Sequence, residues 1–431
     1  MSFLFKNVTA VLMDDARTVL SNAYVGVEGT QITYVGTERP QGYFSEVIDG
    51  AGKVMMPGFV NAHTHVPMTL MRGYGGGCDL HTWLNNYIFP AEAKWDDRSM
   101  KAAAALGLAE MIAAGVTCIA DMYMRCDNIV EEVLSAGLSA NICCGGTQFT
   151  DDFNPATHSD CVAQRHLTET WHGHNDGQIL IDASIHGEYT SHAPLWDWMA
   201  DYAREHKLGM HVHLSETKSE HEACIARHGV TPAELFERHG VWETRAIAAH
   251  GVWTTPEDWH ILARHGVSVI HNPMSNLKLG SGIAPIAEMR KHGLNVAQGT
   301  DGVSSNNATD LFADMKLAAI LSCGSSHDPL ATTAWDALEM ATVKGAQALG
   351  RKTGKIAVGY TADLILVDFT KPNLMPCHDP VENLVYAAHG ADVCMNMARG
   401  KVIYKDGQWL TIDMNHIRRE LETYAMPHIF G

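Results

Sequence analysis

The middle of the chain repeats one unit, in which a short apolar run is followed by a turn and then by a stretch with helical periodicity. Apolar runs that begin at Gly115, Leu208 and Val267 precede helical patterns at residues 128–137, 218–228 and 284–292. Buried strands that alternate with helices indicate parallel β/α architecture. The 431 residues suffice for one large barrel with a small domain, or for about two to three ordinary domains.

Both ends of the chain differ from the middle, because they contain short β-rich runs separated by turns. Residues 8–12, 23–27 and 31–35 predict a small antiparallel sheet. The same pattern returns at residues 362–368 and 393–404, and residues 405–408 predict a hairpin turn. We therefore expect the two termini to build one small domain together.

Polar side chains follow the apolar runs of the middle segment. The residues in these positions are His65, His213, His250, His271 and Asp301. In a (β/α)8 barrel the catalytic residues lie at the carboxyl ends of the strands. The sequence therefore predicts a TIM-type (β/α)8 barrel with a functional site at one end.

The spacing of two of these histidines indicates a metal site. His63 and His65 are two residues apart in an extended run, so both imidazoles face the same side and can reach one divalent ion. Taken singly, each candidate has an ordinary explanation: an H-x-H pair can be a polar strand end, and Asp301 can cap a helix. The combination at several strand ends favours a metal bound by His63, His65, His213 and Asp301.

Two further residues suit proton transfer beside such an ion. Glu216 follows His213 by three residues, so its carboxylate can lie next to a metal without binding it. Glu216 alone could equally begin a helix, where an acidic residue suits the dipole. His250 can hydrogen-bond a substrate oxygen, whereas His211 is interpreted as a strand histidine with a structural partner.

Charge and cysteine content exclude several classes of partner. Lys and Arg number 31 against 49 Asp and Glu, and the resulting net charge of -18 repels nucleic acid and anionic membrane surfaces. The ten cysteines are dispersed and do not form a disulfide pattern, which favours a cytoplasmic protein. No uncharged apolar run reaches about 18 residues, so we expect no membrane span.

Five motifs along the chain are specific in combination. They are PGFVNAHTH at 57–65, HNPMSNLKL at 271–279, GTDG at 299–302, SNN at 305–307 and GYTADL at 359–364. These motifs resemble those of the amidohydrolase superfamily, most closely its methylthioadenosine/S-adenosylhomocysteine deaminase and chlorohydrolase branch. The resemblance implies a barrel at residues 58–355 and a β-sandwich built from residues 1–57 and 356–431, with a terminal helix. It also implies one divalent ion per chain, usually zinc and sometimes iron.

The resemblance also implies roles for individual residues, at the positions of this sequence that match the family's motifs. The resemblance implies that His63, His65, His213 and Asp301 bind the ion and that Glu216, His250 and Asp301 are catalytic. It further implies substrate contacts from Glu92, His186, Glu216 and Asp301. The expected reaction is hydrolytic release of ammonia from an aminated ring, with Glu216 protonating a ring nitrogen.

The resemblance implies that the substrate is a small heterocycle, but the sequence leaves its identity open. The leading candidate substrate is a 5′-modified adenosine such as methylthioadenosine or S-adenosylhomocysteine. Another purine, a pterin or a triazine is the alternative substrate. Arg165 is the only arginine between Cys126 and Ala203, which puts a carboxylate-bearing substrate in doubt. Displacement of a halide or thioether from a ring, and a catalytically silent binding module, are the alternatives. A homo-oligomer is compatible with this fold.

Overall fold

The computed structural model describes residues 2–78 and 80–431. The strands in these residues are β1 (Ser2–Val11), β2 (Val19–Glu28), β3 (Gln31–Gly36), β4 (Glu46–Asp49), β5 (Lys53–Pro57), β6 (Phe59–His65), β7 (Val116–Met122), β8 (Ser139–Cys143), β9 (Ile179–Ile181), β10 (Ala183–Ile185), β11 (Met210–Leu214), β12 (Ala246–His250), β13 (Ser268–His271), β14 (Asn295–Gln298), β15 (Asp301–Gly302), β16 (Leu364–Asp368), β17 (Val393–Ala398), β18 (Lys401–Lys405) and β19 (Gln408–Trp409).

The helices in the same residues follow most of the barrel strands. They are α1 (Leu80–Trp83), α2 (Phe89–Glu92), α3 (Asp97–Ala113), α4 (Cys126–Ala136), α5 (Ser159–Trp171), α6 (His174–Gly177), α7 (Ala193–His206), α8 (Lys218–His228), α9 (Pro232–Arg238), α10 (Pro256–Arg264), α11 (Pro273–Lys278), α12 (Ile286–Lys291), α13 (Val303–Asn306), α14 (Leu311–Ser326), α15 (Ala334–Met340), α16 (Val343–Ala348), α17 (Pro380–Tyr386), α18 (Met414–Glu420) and α19 (Met426–Phe430). The three helical patterns expected from the sequence correspond to α4, α8 and α12.

The middle strands close into a parallel barrel. One ladder joins β10, β11, β12, β13 and β14, and the other joins β15, β6, β7, β8 and β9. The ladders meet because β9 and β10 are parts of one strand interrupted at Asp182, and β14 and β15 are parts of another interrupted at residues 299–300. Strand β15 pairs in parallel with β6, through Asp301 opposite Thr64. The predicted (β/α)8 barrel is confirmed.

Nine strands from the two termini form a second sheet, in the order β19-β18-β17-β16-β5-β1-β2-β3, with β4 paired to β1. The predicted antiparallel sheet is wrong in one respect, because β1 pairs in parallel with β4 and β5. Both termini bury side chains in one apolar core, exemplified by Phe5, Val25, Leu366 and Met395. The exact domain boundaries, after residues 57 and 355, stay a prediction.

The amino end of the barrel is closed by helix α16. Ala346 and Ala348 of this helix pack with Val60, Cys118 and Ile270 from the barrel interior. Close packing leaves the carboxyl end of the barrel as the open end. None of the helices that the structure describes is both long and apolar enough to cross a lipid bilayer.

Candidate active site

The predicted metal ligands converge at the carboxyl ends of the barrel strands. The ligand atoms of His63, His65 and His213 all lie within 4.8 Å of one another, and so do those of His63, His250 and Asp301. His63 and His65 come from β6, His213 from β11, His250 from β12, and Asp301 from β15. Residues far apart in the sequence therefore face one point, as expected for strand ends of a closed barrel.

Two of the histidines are oriented by backbone carbonyl groups. The Nδ1 atom of His65 contacts the carbonyl oxygen of Met122, and the Nδ1 atom of His213 lies 2.6 Å from that of His186. A carbonyl can only accept, so each Nδ1 carries the hydrogen and each Nε2 is left with a lone pair. Outer hydrogen bonds of this kind fix the tautomer that a metal ligand requires.

His63 is oriented differently, by another histidine. Its Nδ1 lies 2.8 Å from Nε2 of His211, and Nδ1 of His211 lies 3.4 Å from the sulfur of Cys143. When His63 Nδ1 donates to His211, the Nε2 lone pair of His63 faces the site. That buried Nε2 has no hydrogen-bond partner among the residues that the structure describes. A metal ion is the group that an unpartnered imidazole nitrogen in this position fits.

Asp301 supplies the negative charge of the cluster. Its Oδ1 lies 3.5 Å from Nε2 of His63 and 3.3 Å from Nε2 of His65. Burial would raise the pKa of Asp301, but its contacts with these two histidines hold that pKa well below the ordinary value. Its other oxygen accepts hydrogen bonds from the hydroxyl groups of Ser275 and Ser305. The carboxylate is thus fixed in its ionised, ligand-ready form.

The electrostatics of the cluster favour a cation at its centre. Burial opposes a charge on His65, yet the contact with Asp301 raises the pKa of His65 to about 9. Burial lowers the pKa of the neighbouring His63 to about 3. The negative charge of Asp301 therefore favours one positive charge in the cluster. A divalent ion supplies that charge when three neutral imidazoles and a carboxylate bind it.

The backbone just before Asp301 lies very close to neighbouring groups of the site. A Cβ atom on Gly299 would lie 2.5 Å from Oδ1 of Asn272 and 2.7 Å from the carbonyl oxygen of His63. Asp301 has a φ of 61° and His250 a φ of 75°, both in the left-handed region. Such conformations cost of order 1–3 kcal/mol each and are retained where the surrounding structure enforces them. The strand ends are thus shaped around the site.

Glu216 lies beside the cluster on the loop after β11. Its Oε2 is 3.8 Å from Nε2 of His250, and its Oε1 accepts a hydrogen bond from Ser281 at 3.4 Å. The loop is held by Glu220, whose carboxylate accepts the backbone N–H groups of Ser215 at 2.9 Å and Glu216 at 2.8 Å. Burial raises the pKa of Glu216, which favours the protonated form that can act as an acid.

His250 is held by a neighbouring amide. Its Nδ1 lies 2.8 Å from Oδ1 of Asn276, which belongs to α11 and can only accept there. The Nδ1 atom therefore carries the hydrogen, and Nε2 points toward Glu216. This arrangement makes His250 a hydrogen-bond acceptor or a proton carrier at the centre of the site.

A cavity of about 480 Å³ opens onto the cluster. Glu92 and His186, the predicted substrate contacts, both line it together with Glu216 and Asp301. Glu92 accepts a hydrogen bond of 2.6 Å from the hydroxyl of Tyr123. Burial raises the pKa of Glu92 to about 7, although this hydrogen bond opposes the shift. Every predicted site residue except the fully buried His63 lines this cavity, while the individual roles stay predictions.

Sequence reasoning missed the residues that hold the site in place. These are Ser275, Asn276, Ser281, Ser305, Glu220 and Cys143. Ser275, Asn276 and Ser305 lie within the motifs at 271–279 and 305–307, but the motifs alone assign them no role. Glu220 had a local signal, since Thr217 and Glu220 form a capping box at the start of α8. His211 had been interpreted as structural, and its partner proves to be the predicted ligand His63.

A family model provides the identity of the chain. The model described as "Amidohydrolase family" matches residues 54–403, which include the whole barrel and every predicted site residue. The chain belongs to the amidohydrolase family.

Full-length relatives of this amidohydrolase carry deaminase names. The chain is 35% identical over 428 residues to a 5-methylthioadenosine/S-adenosylhomocysteine deaminase of Thermoanaerobacter pseudethanolicus, covering 99% of each protein. It is 38% identical over 422 residues to a 5′-deoxyadenosine deaminase of Methanosarcina barkeri, covering 98% of this chain and 97% of the relative. A solved adenosine deaminase of Xanthomonas campestris with bound zinc superposes with a TM-score of 0.94 at 29% identity, covering 99% of this chain and 98% of that one.

Proposed function

We propose that this amidohydrolase is a metal-dependent deaminase that hydrolyses the amino group of a 5′-modified adenosine and releases ammonia. The observation that carries the proposal is the position of Glu216. Its buried carboxyl group lies 3.8 Å from His250, beside a cluster of His63, His65, His213 and Asp301 that can hold a metal. The deaminase names of relatives that match this chain over nearly its full length support the choice of reaction.

The proposed ion is a single zinc per chain, held by three imidazole nitrogens and one carboxylate oxygen. Those donors suit zinc, although iron also accepts imidazole and carboxylate ligands. When bound, a divalent ion supplies a Lewis acid that brings the pKa of water toward neutrality.

The chain's own residues perform the proton transfers in this proposal. Glu216 donates a proton to the ring nitrogen next to the reacting carbon, because burial favours its protonated form. Asp301 accepts one proton from the attacking water and passes it to the departing amino group, which leaves as ammonia. The other proton of that water returns to Glu216 as the ring carbonyl forms. His250, fixed through Asn276, orients the attacking oxygen.

Substrate binding is assigned to the residues farther along the cavity. In this proposal Glu92 accepts hydrogen bonds from ribose hydroxyl groups and His186 contacts the nucleoside, since both residues line the cavity. A small-molecule substrate fits a cavity of about 480 Å³. We also propose a cytoplasmic location, because all ten cysteines are free thiols.

Ammonia release from zinc-loaded protein tests the proposal. Methylthioadenosine, 5′-deoxyadenosine, guanine and a triazine are supplied separately, and ammonia is measured with Glu216→Gln as the inactive control. The adenosine derivatives should release one ammonia per molecule consumed. Release of a thiol or halide without ammonia would instead support the displacement reaction, and no product from any compound would contradict the proposal.

A further inference from the structure

The cavity wall is rich in carboxyl groups. Four lining residues carry carboxyl groups: Glu92, Asp160, Glu216 and Asp301. Among the described residues that line the cavity there is no lysine and no arginine. A ligand with a carboxylate tail would therefore leave that carboxylate without a cationic partner inside the protein.

Two arginines that are near this wall in sequence, Arg125 and Arg165, make their contacts elsewhere. Arg125 follows Met124, which lines the cavity, and it pairs with Asp97 at 2.8 Å. Arg165 donates to the carbonyl oxygen of Pro155 at 2.8 Å, and its guanidinium carbon lies 5.5 Å from the centre of the Trp198 ring. It does not line the cavity. Arg165 is therefore held away from the ligand by two contacts of its own.

Asp160 is the carboxylate that the proposed reaction does not use. It lies in the first turn of α5, where it offsets the positive end of the helix dipole. Its Oδ2 accepts hydrogen bonds from the backbone N–H of Thr147 at 2.8 Å and from the hydroxyl of Thr147 at 3.1 Å. The Asp160 side chain is thus fixed at the cavity wall, and its charge occupies the place where a helix start could otherwise attract an anion.

Much of the rest of the wall is apolar. Trp83, Leu84, Ile88 and Phe89 come from the segment after β6, and Met124 and Phe149 also line the cavity. Methionine and aromatic side chains make favourable contacts with alkyl groups and with thioether sulfur. The cavity therefore offers favourable contacts to an alkyl or alkylthio substituent.

We infer that this site selects adenosines whose 5′ substituent is uncharged or cationic and discriminates against a carboxylate tail, with Asp160 as the specificity-determining residue. The inference rests on the proposed deaminase function. Methylthioadenosine and 5′-deoxyadenosine then fit the cavity, whereas the homocysteine carboxylate of S-adenosylhomocysteine does not. The net charge of -18 acts in the same direction, because it repels anionic ligands before they reach the site.

A charge series of substrates tests this inference. Three 5′-thioether adenosines carry propyl, carboxyethyl or aminopropyl tails of similar length, and kcat/KM for ammonia release is measured for each. The carboxyethyl compound should be about tenfold worse than the propyl compound, because unpaired and like charges are costly in a site of low dielectric. The aminopropyl compound should equal or exceed the propyl compound.

Two variants separate Asp160 from the general charge of the protein. Asp160→Asn keeps an oxygen that can accept hydrogen bonds from Thr147 but removes the charge. In this variant kcat/KM for the propyl compound should exceed kcat/KM for the carboxyethyl compound by about threefold or less. Asp152→Asn removes the same charge from an exposed position that does not line the cavity, and should leave the difference unchanged.

The outcomes distinguish the two proposals. Equal kcat/KM for propyl and carboxyethyl compounds in the unmodified protein would overturn the inference and leave the deaminase function intact. An unchanged difference in Asp160→Asn would overturn the assignment to Asp160. No ammonia from any of the three compounds would overturn the proposed function, and the inference with it.

Discussion

The two ends of the barrel both bury charged and polar side chains, but they complete the hydrogen bonds of these side chains differently. At the amino end, Asn141 donates to Asp182 and to the carbonyl of Leu349, and it accepts from Arg351. Arg351 also donates to the carbonyl of Gly177, and Arg245 pairs with Asp182. Protein atoms alone complete this network.

At the carboxyl end, the buried ligand atoms converge on one point. Among the described residues His63 Nε2 has no hydrogen-bond partner, and the Asp301 carboxylate contacts the imidazoles of His63 and His65. The comparison teaches that buried polarity alone does not mark a functional site. A functional site is marked by a set of oriented ligand atoms that the described protein groups do not fully hydrogen-bond.

The largest expected effect separates catalysis from structure at the carboxyl end. Glu216→Gln should lower kcat/KM for ammonia release by about 10²–10⁴-fold, because the amide cannot supply the proton. Zinc content, measured by atomic emission, should stay at the unmodified level. Glu222→Gln removes an exposed carboxylate six residues away and should have no effect on either quantity. Full activity of Glu216→Gln would exclude its role as the acid.

The matching change at the amino end should affect folding and leave the chemistry alone. Arg245→Met leaves the buried carboxylate of Asp182 without its cation, and we expect a loss of about 3–5 kcal/mol in the free energy of unfolding. Urea denaturation measures this loss, and zinc affinity should be unchanged. Arg238→Met breaks an exposed ion pair instead and should cost about 0.5 kcal/mol or less. Similar losses in the free energy of unfolding for Arg245→Met and Arg238→Met would show that the buried ion pair is no more important for stability than the exposed one.

A smaller effect is expected from the histidine behind the metal site. His211→Phe removes the acceptor for His63 Nδ1 and should weaken zinc binding by about 10–100-fold, as for other outer-shell ligand partners. Competition with a chelator measures the affinity. His211→Gln retains an acceptor oxygen and should recover part of the loss. Equal affinities in all three proteins would show that His63 does not need this contact.

The smallest expected effect concerns pH. Burial raises the pKa of Glu92 to about 7, so its carboxylate accepts hydrogen bonds above that pH and is protonated below it. The ratio of kcat/KM between unmodified protein and Glu92→Gln should therefore rise about fivefold from about pH 6 to about pH 8. Tyr123→Phe removes a hydrogen bond that lowers this pKa, so the rise should shift to higher pH. A flat ratio would exclude Glu92 as an ionised contact.

Much of the fold and the proposed ligands could be predicted because these features are local in the sequence. The H-x-H pair at the end of β6 and the apolar runs before His213 and Asp301 indicate strand ends, and barrel topology then brings strand ends together. Lys218–His228 was recognisable as a helix from its pattern and proves to be α8.

The supporting contacts could not be predicted, because they join segments that only the fold brings together. His63 and His211 are 148 residues apart, and Ser275 reaches Asp301 across 26 residues. The run at residues 393–404 reads as one strand, yet Arg399 and Gly400 have positive φ values and divide it into β17 and β18. Loop geometry of this kind is not encoded in apolar periodicity.

The central claim is that the carboxyl end of the barrel holds one ion between His63, His65, His213 and Asp301. Anomalous diffraction at the zinc absorption edge from crystals of zinc-loaded protein tests it directly. The account predicts a single strong peak about 2.0–2.2 Å from one atom of each of the four side chains. A zinc-loaded crystal with no peak among these residues, or with its peak held by other side chains, would contradict it.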